Sequence, residues 1–141
     1  MNSITVFYSM TMERFENRIF CIGAFGRFVD ELSKKYDTVY LCAPVRELTV
    51  PKDEYSLQSS KIVLQGMPPY NSIISSLRYA KEARQTLRKY THEWERLYIR
   101  YPSPYSLFAF NLAKRRRLPA FMHLVGDTRK VVEKGSKFNT F

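Results

Sequence analysis

Cysteine is scarce in this sequence, and long hydrophobic runs are absent. The two cysteines, Cys21 and Cys42, are too few for a disulfide framework, and their spacing matches no metal motif. No apolar stretch approaches the ~20 residues that span a bilayer, and the first residues lack the basic and apolar regions of a signal peptide. These absences exclude disulfide-rich and membrane-spanning classes, and we expect a cytoplasmic protein.

The sequence also has no internal repeat, low-complexity tract or long Gly/Ser linker. Its 141 residues are 45% hydrophobic and 26% charged, which excludes a wholly disordered or collagen-like chain. Aromatic residues make up 15% of the chain, enough for a sizeable core. We therefore expect one domain over residues 1–132, followed by a C-terminal tail at 133–141.

Acidic residues are few in the second half of the chain. Residues 1–60 carry 7 basic and 8 acidic side chains, whereas residues 61–141 carry 16 and 5, within a net charge of +10. This asymmetry predicts an anionic partner: anionic lipid, a phosphorylated small molecule or nucleic acid. No nucleic-acid-binding motif is visible, so nucleic acid is not expected. The candidate anion-binding residues, which a solvated helix surface would also explain, are Arg78, Lys81, Arg84, Arg88, Lys114, Arg115, Arg116 and Arg117.

Apolar segments of strand and helix type alternate along the chain. Apolar residues from Phe25 onward recur at helical spacing and predict a first helix. A long helix is predicted from an N-cap at Ser72 to about Trp94. Ser103 and Pro104 indicate the start of another helix. This alternation predicts a Rossmann-like α/β three-layer sandwich with an open parallel sheet of about five strands. The predicted strands are residues 4–8, 38–43 (ending at Pro44), 61–65, 97–99 and 120–125.

Ligands of such sheets bind beyond the carboxyl ends of the strands. After the first strand, Gly23, Gly26 and Arg27 open a helix whose free N–H groups suit a phosphate, although the glycines would equally allow close packing on the sheet. The spacing is neither a dinucleotide fingerprint nor a P-loop.

Two further groups of residues follow later strands. Tyr70, Arg100, Tyr101 and Ser103 are candidates for a substrate groove with Arg100 as an anion clamp, or else for a rigid loop and a solvent-facing arginine.

His123 and Asp127 are candidate catalytic residues, because histidine transfers protons near neutrality and a carboxylate can accept from a hydroxyl. The alternatives are a core histidine and a helix-capping aspartate. No catalytic triad, carboxylate pair or metal cluster is evident in the sequence.

Several segments together resemble a known family. Residues 23–32 and 36–45 look like the first βαβ unit of a family 4 glycosyltransferase, and residues 94–103 are similar to that family's fourth strand and turn. Residues 112–119 and 122–127 resemble its "lAr…P…H…GD" passage. The ordered set covers roughly residues 4–132.

This resemblance implies the acceptor-binding N-terminal half of a GT-B fold. It places the donor phosphates near Gly23, Gly26 and Arg27, and the reacting sugar near His123 and Asp127. It also implies retaining hexosyl transfer from a nucleotide-sugar co-substrate to a glycan or lipid-linked acceptor, without metal or other cofactor, in cell-envelope or surface polysaccharide assembly. The basic second half would suit a phosphorylated acceptor at the inner face of a membrane.

The sequence departs from the family by ending at Phe141 without a second Rossmann domain or the family's Glu-x7-Glu signature. We expect no useful sugar transfer by this chain without a C-terminal partner half. A fragment, a truncated reading frame and one half of a split enzyme all remain open. A non-enzymatic Rossmann-like module that binds a nucleotide, an anionic lipid or a partner protein is the alternative function.

Overall fold

The computed structural model describes residues 2–51 and 54–124. A short 3-10 turn, Thr91–Glu93, follows the third of the helices. In chain order the elements are β1 (Ser3–Phe7), β2 (Met12–Phe15), β3 (Arg18–Cys21), α1 (Gly23–Leu32), β4 (Thr38–Glu47), β5 (Tyr55–Ser56), β6 (Ile62–Met67), α2 (Ile73–Arg78), α3 (Ala80–Tyr90), β7 (Leu97–Tyr101), α4 (Ser106–Arg115) and β8 (Ala120–Leu124).

Five of these strands form a parallel sheet in the order β6–β4–β1–β7–β8. Helix α1 packs on one face through Phe25 and Val29, while α3 and α4 cover the other through residues that include Leu87 and Ala109. Burial on both faces explains why β1 and β4 read as nearly continuous apolar runs. The predicted open, Rossmann-like α/β fold is therefore confirmed.

Strand β4 continues through Pro44 to Glu47, so the prediction that it ends at Pro44 was wrong. The carbonyl of Cys42 accepts from the amide of Tyr8, which shows that even-numbered residues of β4 turn their backbone groups toward β1. Pro44 therefore lies where the pairing of β4 with β1 ends, because it has no N–H to continue that ladder, and the pairing resumes with β2 at Met12 and Val45.

A β-hairpin, β2–β3, lies between β1 and α1, where no strands were predicted. Strand β2 resumes the parallel pairing along β4 where β1 leaves off, with Met12 opposite Val45. Strand β3 returns antiparallel to β2, and β5 pairs with β3. The turn needs a positive φ of 54° at Glu16, a conformation that sequence reading does not expect of glutamate.

The predicted long helix is two helices, α2 and α3, separated at Tyr79. The N-cap at Ser72 is confirmed, because its hydroxyl accepts from the amide of Ser75 in a capping box. Helix α4 begins at Ser106, so the prediction of a cap at Ser103 and a first turn at Pro104 was wrong. Tyr105 adopts a left-handed φ of 66°, which delays the helix by one short turn.

Asp30 joins α1 to the segment that carries β5. Its carboxylate accepts from the hydroxyl of Tyr55 and from the amides of Gln58 (3.1 Å) and Ser59 (3.0 Å). One side chain therefore satisfies three donors from a segment that otherwise has little regular structure.

We predict that Asp30→Ala lowers the free energy of unfolding by about 2 kcal/mol, since hydrogen bonds to a charged acceptor are lost and their donors are left partly buried. Urea denaturation measures the effect. Asp37→Ala is the matched control, because its carboxylate accepts only a long exposed bond from the amide of Asn2. Equal stabilities of the two variants would contradict this role of Asp30.

Candidate functional site

The central neighbours β1 and β7 form the topological switch point of the sheet. From β1 the chain order runs outward to β4 and β6 on one side and to β7 and β8 on the other. The connections that leave β1 and β7 diverge there, which opens a crevice at the carboxyl ends of the strands. Tyr8 directly follows β1, and Arg100 is the penultimate residue of β7 at the same edge.

Arg100 lies among three aromatic rings in this crevice. Its guanidinium carbon is 4.9 Å from the ring centroid of Phe25, 5.0 Å from that of Phe28 and 5.5 Å from that of Tyr8. Its Nε is buried without a hydrogen-bond partner, and none of the salt bridges formed by residues 2–51 and 54–124 includes it. Aromatic faces stabilise the cation but leave its N–H groups unused, so the guanidinium can still bind an anion.

His123 lies beside Arg100 on the neighbouring strand. The two residues are register partners, and the hydroxyl of Tyr98 forms a hydrogen bond with Nδ1 of His123. The Tyr98 ring in turn lies 5.3 Å from that of Phe28. His123 is exposed rather than in the core, and with Nδ1 occupied, a ligand in the crevice would meet Nε2. Asp127, its predicted catalytic partner, lies outside the described residues.

These residues together make up what we call the switch-point crevice. Its members are Tyr8, Phe25, Phe28, Tyr98, Arg100 and His123. Sequence reasoning singled out Arg100 and His123 but missed the four aromatic residues. Strand alternation, which puts Tyr98 and Arg100 on one face of β7, and the helical spacing of Phe25 and Phe28 were the signals available.

The predicted groove residues do not form one groove. Tyr70 is only 1% exposed and belongs to the core on the α3–α4 face, where burial raises the pKa of its hydroxyl. Tyr101 follows Arg100 on the strand and faces the opposite side of the sheet, lining a depression there with Ser103. Of the predicted groove set, Arg100 is the member in the switch-point crevice.

Ser9 ties together the two loops that border the crevice. Its hydroxyl donates to the carbonyl oxygen of Pro104 at 2.7 Å and lies 3.2 Å from the hydroxyl of Tyr70. Ser103 holds the same turn by donating to the carbonyl oxygen of Arg100 at 2.9 Å. Tyr70 and Ser103 therefore shape the loops rather than line the crevice.

Gly26 is a close-packing glycine. Its amide donates to the carbonyl oxygen of Ile22, and a Cβ added to it would lie 2.3 Å from Cδ1 of Tyr55 and 2.9 Å from Sγ of Cys21. It cannot present its backbone to a phosphate. Gly23, at the first position of α1, is partly exposed, and the guanidinium of Arg27 lies next to it and 5.6 Å from the Tyr55 ring centroid.

We predict that Gly26→Ala destabilises the protein by about 2 kcal/mol, because the Tyr55 ring is held by Asp30 and cannot move aside freely. Gly23→Ala should change stability by less than about 0.5 kcal/mol, since its new methyl group meets only the flexible end of Arg27. Thermal and urea unfolding of both variants provide the measurement. A Gly26→Ala protein as stable as Gly23→Ala would refute the packing role.

The eight basic candidates are all exposed and lie on or just after α2, α3 and α4. Arg88 stacks over Phe108 and Lys114 over Phe110, and Arg116 donates to the carbonyl oxygen of Trp94 at 3.4 Å. In the described part of the chain, no salt bridge includes any of them. The three salt bridges among the described residues all join side chains in the segment from Glu13 to Glu47.

Cysteine nucleophiles and metal clusters do not contribute to the crevice. Both cysteines are free and buried, and desolvation, with smaller contributions from Asp30 and Glu54, raises the pKa of Cys21 to about 11. Over residues 2–51 and 54–124 no three metal-ligating side chains converge.

Among the described residues, no helix is long and apolar enough to cross a bilayer.

Comparison with known proteins adds information about the fold. No family model and no curated protein matches the sequence. The C-terminal domain of a hydrogenase from Pyrococcus furiosus is similar in structure, with a TM-score of 0.53 and 12% identity over 87% of this chain and 92% of that one. At this identity the likeness supports an α/β fold and carries no functional residue across.

Proposed function

We propose that this chain is the acceptor-binding lobe of a GT-B glycosyltransferase that acts on a phosphorylated, lipid-linked acceptor in cell-envelope or surface polysaccharide assembly. The observation that carries the proposal is the unpaired guanidinium of Arg100 at the switch point of the sheet. The donor nucleotide-sugar would be bound mainly by a second lobe, in the same polypeptide or in a separate one.

The chemistry of the crevice supports such an acceptor. Arg100 supplies N–H donors suited to phosphate, and the rings of Tyr8, Phe25 and Phe28 offer apolar surface to a sugar face or an isoprenoid chain. His123 lies beside them, where its free ring nitrogen can exchange a proton with an acceptor hydroxyl. The resemblance of the ordered sequence segments to family 4 glycosyltransferases adds the reaction class.

A non-enzymatic module that binds an anionic ligand would use the same crevice. Arg100 and its aromatic neighbours suit a nucleotide or a lipid phosphate equally well. The two functions differ in turnover rather than in binding, so both properties have to be measured.

We predict that Arg100→Gln weakens binding of farnesyl phosphate at least about tenfold, because a charged donor pair to the phosphate is lost. Titration followed by NMR shifts of the aromatic residues in the crevice measures it. Arg96→Gln is the matched control, since Arg96 directly precedes β7 at the end far from Arg100 and stacks on Tyr36. Farnesol should bind both proteins weakly. If Arg100→Gln bound farnesyl phosphate as tightly as the parent protein, Arg100 would be excluded as the anion clamp.

We further expect that the chain by itself transfers no sugar from a panel of nucleotide-sugars to polyprenyl-phosphate acceptors. A coupled assay for the released nucleoside diphosphate measures the transfer. Transfer should require a donor-binding lobe that carries Glu-x7-Glu, and His123→Ala should then reduce kcat. Appreciable turnover by the chain without that lobe would refute the assignment as an acceptor lobe. Binding without turnover in the presence of such a lobe would favour the non-enzymatic module.

A further inference from the structure

Four large apolar side chains lie exposed together on α2 and α4. Ile73, Ile74 and Leu77 of α2 are 76%, 80% and 72% exposed, and Leu107 of α4 is 56% exposed. Ile73 and Leu107 line one shallow depression with Phe108, so the residues of the two helices form one surface. Each such side chain would gain substantially from removal from water.

Helix α2 is inverted relative to an ordinary amphipathic helix. Its buried residue is Ser76, whose hydroxyl donates to the carbonyl oxygen of Ile73 at 2.7 Å, while its apolar residues point to solvent. The capping box at Ser72 and the bond from the Tyr105 hydroxyl to the carbonyl oxygen of Ser76 hold α2 in this orientation. The exposed apolar side chains are therefore held in place by specific hydrogen bonds.

Cations border this apolar surface. Arg84 lies close enough to Tyr105 to lower its pKa against the larger opposing effect of burial, and Arg88 stacks 5.4 Å from the ring centroid of Phe108. Across α2 and α3, residues 73–90, the one acidic side chain is Glu82. The basic side chains there are Arg78, Lys81, Arg84, Arg88 and Lys89.

The surface faces the same edge of the sheet as the switch-point crevice. Helix α2 follows the carboxyl end of β6, and α4 follows the carboxyl end of β7. Ile73 and Leu107 stand in the first turns of these helices, and Arg100 lies at the end of β7. The surface and the crevice therefore share the carboxyl edge of the sheet but lie on opposite sides of it.

We propose that this α2–α4 surface docks on an anionic lipid bilayer. Ile73, Ile74, Leu77 and Leu107 enter the boundary between headgroups and acyl chains, and the bordering cations contact anionic headgroups. Charge decides between a bilayer and a second copy of the chain, because an isologous dimer would bring the same cations against one another. This inference does not depend on glycosyl transfer.

Vesicle sedimentation of the full chain tests the proposal. Vesicles of phosphatidylcholine with phosphatidylglycerol should bind the chain at least about tenfold more tightly than phosphatidylcholine alone, and added salt should weaken the binding. The variant pair Ile74→Ser with Leu77→Ser and the pair Arg78→Gln with Arg84→Gln should each reduce binding about tenfold or more. These side chains are exposed, so thermal unfolding should stay close to that of the parent protein.

Two control variants match the test variants elsewhere on the molecule. Val50→Ser with Val63→Ser removes exposed apolar side chains, and Lys34→Gln with Lys35→Gln removes two exposed cations that follow α1. Both should bind vesicles as the parent does.

Three results would overturn the proposal. The first is equal binding to both vesicle types, and the second is equal loss in the test and control variants. The third is a dimer or a complex with generic DNA, seen by analytical ultracentrifugation, that Ile74→Ser with Leu77→Ser abolishes while vesicle binding persists.

Discussion

Strand β4 extends beyond its neighbour β1, and much of the molecule depends on that difference in length. Beyond the end of β1, the backbone groups on that side of β4 still need partners, and β2 supplies them. The hairpin then returns the chain to the carboxyl edge, where α1 begins. Phe25 and Phe28 of α1 thereby contact Arg100 on one face of the sheet. The pairing of β2 with β4 therefore satisfies the end of β4 and positions α1, whose aromatic residues line the crevice.

Elements that depend on local chemistry were predictable from the sequence, whereas those that depend on distant partners were not. The five parallel strands follow from short apolar runs, and the start of α2 follows from the serine cap at Ser72. The hairpin turn contains no glycine, and its formation depends on the free edge of β4. Likewise no glycine or proline marks the break at Tyr79 between α2 and α3, and Tyr105 holds α2 from a distant part of the chain.

The candidate site shows the same division. Arg100 and His123 were identifiable because both lie near the carboxyl ends of predicted strands, and they prove to be register partners. Their aromatic neighbours come from α1 and from the end of β1, contacts that chain spacing does not reveal. Tyr70 follows a strand as Arg100 does, but it turns into the core, because a position in a loop does not determine burial.

Strand β7 serves the crevice and the core with alternate residues. Tyr98 and Arg100 face α1, whereas Leu97 and Ile99 pack into the apolar cluster under α3 and α4. A shift of one residue against β1 would exchange the two sets and bury the guanidinium among aliphatic side chains. The same packing energy that holds Leu97 and Ile99 therefore protects the position of Arg100. A change that loosens the hydrophobic interior at this strand would consequently disturb ligand recognition as well, even though it touches no ligand.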